Sequence, residues 1–206
     1  MFNEIVSWVV VALILISSAA MLTGRDWRIQ LAALALQYLA AFWLITRHQP
    51  FVIGSAKLVT GWMVVAALGM TRLGIQNAEE DQTIFGPNDR WFSFVLLGIL
   101  ALVTAGATPQ IEAVIPGLGL PVIAGGLLLI STGFIHLGLT SDILRVVISL
   151  LTLIAGFEII YAAVENSILV AGLLALTNLG LGLAGSYLLL AGRGQTFSTL
   201  EEEEIE

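Results

Sequence analysis

Seven long apolar runs limit what this chain can become. They cover 5–22, 27–46, 51–70, 91–107, 120–139, 143–164 and 168–191. Each approaches the roughly 20 mostly apolar residues that a helix needs to cross a bilayer. Short polar breaks separate several of them: Gly24-Arg25-Asp26, Arg47-His48-Gln49-Pro50, Thr140-Ser141-Asp142 and Glu165-Asn166-Ser167. Hydrocarbon offers backbone groups no water, so such runs must close their hydrogen bonds within helices. The apolar/polar alternation of a membrane β-barrel is missing. The pattern predicts an all-α polytopic membrane protein with seven transmembrane helices.

Composition excludes the competing classes. Hydrophobic residues make up 58% of the 206 and charged residues 11%, where a soluble domain has about half and about a quarter. A water-soluble domain and a disordered chain are both excluded. Eight Lys+Arg against fifteen Asp+Glu leave a net charge of −7, with no basic face for nucleic acid. The chain has no Cys, which removes disulfides, thiolate metal sites and Cys-ligated iron–sulfur clusters.

The first run begins Met-Phe-Asn-Glu, with no positive n-region, and is too long for a signal-peptide core. It reads as a retained span. Arg25, Arg28, Arg72, Arg90, Arg145 and Arg193 fall on the side of the C-terminus, and Arg47 and Lys57 towards the other. The positive-inside rule then places the N-terminus outside and the C-terminus in the cytoplasm of a cell (inner) membrane. Trp8, Trp43 and Tyr161 at one interface, and Trp27, Trp91 and Tyr187 at the other, read as anchoring rings.

The chain divides into a first three-helix unit (1–75), an acidic cytoplasmic loop (76–90), a connector helix with its loop (91–119), a second three-helix unit (120–191) and an acidic cytoplasmic tail (192–206). The tail ends Glu201-Glu202-Glu203-Glu204-Ile205-Glu206, a like-charge run that reads as a solvated, flexible end or a partner contact. An offset of 117 positions carries Thr23 onto Thr140, Arg28 onto Arg145 and Thr60 onto Thr177, and superposes the apolar runs of the two units. This suggests a parallel 3+1+3 repeat, an arrangement that in transporters puts a site at the repeat interface.

Ionisable groups inside spans cost about 2.5–3.5 kcal/mol at the centre on insertion scales, so each calls for a reason. Lys57 lies six residues into the third run and Glu158 six residues before the end of the sixth. Both therefore sit about 9 Å below the same boundary. The two are candidates for a proton- or cation-handling pair. Lys57 has the alternative of snorkelling to the headgroups, which the shorter Glu158 lacks. Asn178, near the middle of the seventh helix beside Thr177, is a candidate for hydrogen bonding across a helix interface. Gln37, Thr60 and Thr152 receive the same reading. Asn178, Thr177 and Thr60 double as cavity candidates under the repeat.

Asp142 is placed to cap the sixth helix, with Arg145 three residues on. Gly180 and Ala184 fit a small-xxx-small spacing in the Gly-rich seventh helix, for an intrachain contact or a partner subunit. His48 and His136 lie at opposite ends of the membrane, so one bis-His haem is not expected, and His136 reads as a packing residue. The sequence carries no triad, phosphate loop or metal-ligand cluster. No enzyme activity, metal or other cofactor is expected.

Gly156-Phe157-Glu158-Ile159-Ile160-Tyr161-Ala162-Ala163 resembles the Gly-Leu-Glu stretch in the middle helix of the K-type (4L) membrane subunit of respiratory complex I. It is similarly close to the C-type subunit of multisubunit cation/proton antiporters and to the E-type component of membrane hydrogenases. Arg145 is similar to the family's basic turn, and the 176–184 stretch resembles its final helix. The resemblance covers the last three helices, about a third of the chain. It implies a place among other membrane subunits in a proton- or ion-translocating assembly, with Glu158 as the buried carboxylate on the proton path. Where the family carries a second carboxylate in the final helix, this chain has Asn178. Three readings follow: a non-catalytic subunit of an ion-translocating complex, a stand-alone small-solute transporter built on the repeat, and a scaffold subunit that binds its neighbours.

Overall fold

The computed structural model describes residues 2–24, 26–75, 89–165 and 167–203, with side chains over 3–24, 26–75, 91–165 and 167–192. Each apolar run is a helix: α1 (Phe2–Thr23), α2 (Trp27–Ile45), α3 (Phe51–Gly74), α4 (Asp89–Val114), α5 (Leu120–Leu139), α6 (Ile143–Val164) and α7 (Ile168–Glu203). All seven are long and apolar enough to cross a membrane, and no strand occurs among the described residues. The chain is an all-helical, multi-pass membrane protein. Most of the acidic loop, residues 76–88, and the tail's end at 204–206 lie outside the described residues.

Two helices outrun their apolar stretches. Hydropathy stops the fourth span at 107, just ahead of Pro109, yet α4 passes through the proline to Val114. Proline supplies no N–H to the carbonyl four residues back, here Ala105. One lost bond does not end a helix when the turns on both sides keep theirs. The stop comes at Gly117 and Gly119, with φ of +97° and +84°, a backbone region open to glycine. The Glu112 carboxylate accepts from both amides, at 3.1 Å and 2.9 Å. Likewise α7 stays helical to Glu203, where the charge run predicts a loose end from residue 192. Glutamate is a good helix former and no proline intervenes.

The turn into α6 forms as its residues predict. Asp142 adopts extended backbone and its carboxylate accepts from the Arg145 amide at 3.2 Å. Asp142→Ala is expected to cost about 1 kcal/mol, read as a lower midpoint in detergent unfolding; an unmoved midpoint would show that the cap contributes nothing.

The helices stack in two layers of three, with α4 against one edge. Within layers α1 packs on α2 and α2 on α3, while α5 packs on α6 and α6 on α7. Between layers α1 meets α5, α2 meets α6 and α3 meets α7. The α2–α3 and α6–α7 turns lie on the same side, joined by Gln49 Nε2 donating to the Glu165 carbonyl at 3.2 Å. The two triplets thus run in the same order and direction, one laid over the other. A two-fold axis along the membrane normal would instead face α1 with α7. Leu34, Leu44, Ile14, Ile148, Leu151 and Ile159 fill the space between the layers, each essentially without exposure.

The closest seam joins α5 and α6, and glycine makes it. A Cβ on Gly156 would lie 2.7 Å from both the Gly126 carbonyl oxygen and the Ile130 nitrogen. One on Gly133 would lie 2.8 Å from the Ser149 carbonyl oxygen. Backbone meets backbone here, the arrangement that small residues permit between membrane helices. In α7 the inward glycines are Gly182, against Val64, and Gly185, against Val147. Gly180 and Ala184, the pair singled out by spacing, are not among these inward contacts: nothing lies within 4 Å of a Cβ at Gly180, and Ala184 is exposed.

Candidate functional site

The two charges picked out by depth both point into the bundle. Glu158 is 2% exposed and Lys57 7%. Lys57 does not snorkel: its Nζ is buried and has no hydrogen-bond partner. Buried Gly54, Gly61, Val64 and Leu68 share the inner face of α3 with it, which directs the stem between the layers. Asn178, 2% exposed, donates from Nδ2 to Glu158 Oε1 at 3.0 Å and ties α7 to α6. Its own Oδ1 is buried without a partner. Lys57 and Glu158 carry opposite formal charges at one depth of the bundle, and no hydrogen bond joins them.

Tyr38 completes the group, and sequence alone does not single it out. It lies on α2, buried, with its hydroxyl unpartnered, and its phenol is within electrostatic reach of Glu158. The ring lies against Gly61, one turn along α3 from Lys57; a Cβ there would be 2.5 Å from two ring carbons. Tyr38 is seven residues before the end of α2, about 10 Å deep, level with Lys57 and Glu158. The available signal is position, since the other two tyrosines sit near span ends. The group therefore draws on α2, α3, α6 and α7, and so on both layers.

The remaining candidates divide. Gln37 Oε1 accepts from Thr152 Oγ1 at 2.9 Å, a buried α2–α6 bond. Thr60 and Thr177 bond back to their own helices, at Ala56 and Leu173, and Thr177 is exposed. Neither hydrogen-bonds to Asn178. A cavity of about 440 Å³ does occur, but between α1, α4 and α5, walled by apolar side chains together with Thr104 and Thr108. His136 Nδ1 lies 2.6 Å from Ser149 Oγ, and that hydroxyl lies 2.6 Å from the Arg145 carbonyl oxygen. A hydroxyl has one proton, and the carbonyl can only accept it. His136 is then the donor to Ser149, which makes the pair a packing contact across the α5–α6 seam and not an activated nucleophile. No group of three or more His, Asp or Glu side chains is placed to hold a metal among the described residues.

Comparison of the chain with protein-family models, curated proteins and solved structures finds no match.

Proposed function

We propose that the protein handles protons within the membrane, as a non-catalytic subunit of an ion-translocating assembly, with Glu158 as the group that takes up and releases the proton. The observation that carries this reading is a buried carboxylate with one amide partner and an uncommitted ammonium nearby. Membrane interiors keep such groups where a pathway needs them. The proton is favoured over a metal cation on charge and ligand number. Lys57 already supplies the positive charge, and a hard cation wants six or more oxygens, where this site offers one carboxylate and one amide oxygen. The resemblance around Glu158 supports the same reading. There the family's second carboxylate is replaced by Asn178, whose amide holds Glu158 in place. Orientation follows the basic turns, with the N-terminus outside and Arg28, Arg72 and Arg145 on the cytoplasmic side. The transporter alternative calls for a cavity shared by Thr60, Thr177 and Asn178, and the observed positions of the two threonines do not favour it.

The test is proton flux into vesicles reconstituted with the protein and the membrane partners that purify with it. Glu158→Gln keeps the size and the hydrogen-bonding ability of the side chain but cannot cycle a proton. Flux is expected to fall to the level of empty vesicles while the assembly stays intact on a native gel. Undiminished flux in that variant would overturn the reading.

A further inference from the structure

Three buried polar atoms around Glu158 have no partner in the protein: Lys57 Nζ, Tyr38 Oη and Asn178 Oδ1. They come from α3, α2 and α7; Asn178 holds Glu158 by a 3.0 Å hydrogen bond, and the Tyr38 ring is seated on Gly61, one turn along α3 from Lys57. A buried polar group left unpaired forfeits its solvation without compensation, so three on the helices around one carboxylate call for a shared partner. The inventory describes that partner. Lys57 and Tyr38 have protons to give, while Asn178 Oδ1 and the carboxylate can only accept. A cation is repelled by Lys57 and an anion by Glu158. What fits is small, neutral, and both a double acceptor and a double donor, which is the bonding capacity of water.

We propose that an ordered water molecule sits among these four side chains, accepting from Lys57 Nζ and Tyr38 Oη and donating to Asn178 Oδ1 and Glu158. It joins the two charges, which no direct hydrogen bond connects. It also makes Tyr38 a positioning residue of the site, with Gly61 as the seat that fixes its ring. The inference rests on the proton-handling reading only for its consequence. An N–H bond of the Lys57 ammonium breaks as the water oxygen takes that proton, and the water passes a different proton to the Glu158 carboxylate. The products are a neutral amine, a neutral acid and an unchanged water.

Two measurements test it on the full chain in lipid nanodiscs. A structure at a resolution that shows waters is expected to place one density feature within hydrogen-bond distance of Lys57 Nζ, Tyr38 Oη and Asn178 Oδ1. Infrared spectra are expected to show an O–H stretch that shifts in heavy-oxygen water, moves in Tyr38→Phe and is lost in Lys57→Met. Direct Lys57–Glu158 contact with no density between them, or no heavy-oxygen-sensitive band, would overturn the proposal. Glu158-dependent proton flux without the water would leave the functional reading standing and sink this one; the water without flux would do the reverse. Gly61→Ala, which displaces the Tyr38 ring, should shift the same band in a chain that still folds; an unshifted band would count against the role given to Tyr38.

Discussion

Replacing Glu158 with leucine is expected to destabilise the bundle by about 3–5 kcal/mol, the cost of removing one partner of a buried charge pair. The loss is not that of one hydrogen bond. Without the carboxylate, the Lys57 ammonium is left 7% exposed with no opposite charge and no hydrogen-bond partner, and the Asn178 amide loses its acceptor. Adding Lys57→Met removes the stranded charge, so the double variant should recover most of the loss, since hydrophobic replacement of a whole buried pair is often neutral or stabilising. The measurement is a double-mutant cycle of unfolding in mixed detergent micelles. Losses that simply add would show that the two side chains do not share a site. The Glu158→Gln variant used for flux keeps an oxygen acceptor for Asn178 but not the charge opposite Lys57, so its loss should be smaller than that of leucine without vanishing.

The second large effect belongs to the α5–α6 seam. Gly156→Val is expected to cost about 1–3 kcal/mol or more, because the new Cβ would meet the backbone of Gly126 and Ile130 at 2.7 Å. Neither atom can turn aside as a flexible side chain would, so the helices must separate. Separation would also pull Ser149 from His136, now 2.6 Å apart. Gly180→Ala is the control. Nothing lies within 4 Å of a Cβ there, and alanine in a helix interior gains about 0.5–1 kcal/mol over glycine. Opposite signs for two glycine substitutions in neighbouring helices are the expected result, read from the same unfolding curves. A mild Gly156 variant would mean that the seam is looser than its atoms indicate.

The helices are legible in the sequence because hydropathy over some 20 residues is a strong signal, and five of the seven end within a few residues of their apolar runs. The ends of α4 and α7 are not, since Pro109 and a glutamate-rich tail influence helix ends without setting them. At the site, Glu158 and Lys57 can be found because a charge in hydrocarbon is conspicuous, and counting residues to the boundary places them at one depth. Asn178 is visible as a polar residue, but not as the donor to Glu158, which depends on which faces of α6 and α7 meet. Tyr38 has only its mid-span position as a sequence signal, because a tyrosine within an apolar helix is ordinary, and its seat on Gly61 shows only in the structure. The α5–α6 glycines escape notice for a similar reason. Glycine is abundant throughout this chain, with 21 residues, and spacing alone does not separate a backbone contact from an open face, as Gly180 shows.

The stacking of the triplets has a consequence for how this protein can be arranged beside others. Two units related by rotation close on themselves and present matching surfaces. Two triplets stacked in the same order do not: the outer side of α1–α3 and the outer side of α5–α7 are different surfaces, as unlike as the two ends of a brick with studs on one end only. The molecule therefore has a front and a back within the plane of the membrane, and a neighbour that fits against one cannot use the same contacts on the other. Contacts made on one side of such a chain give no guide to contacts on the other.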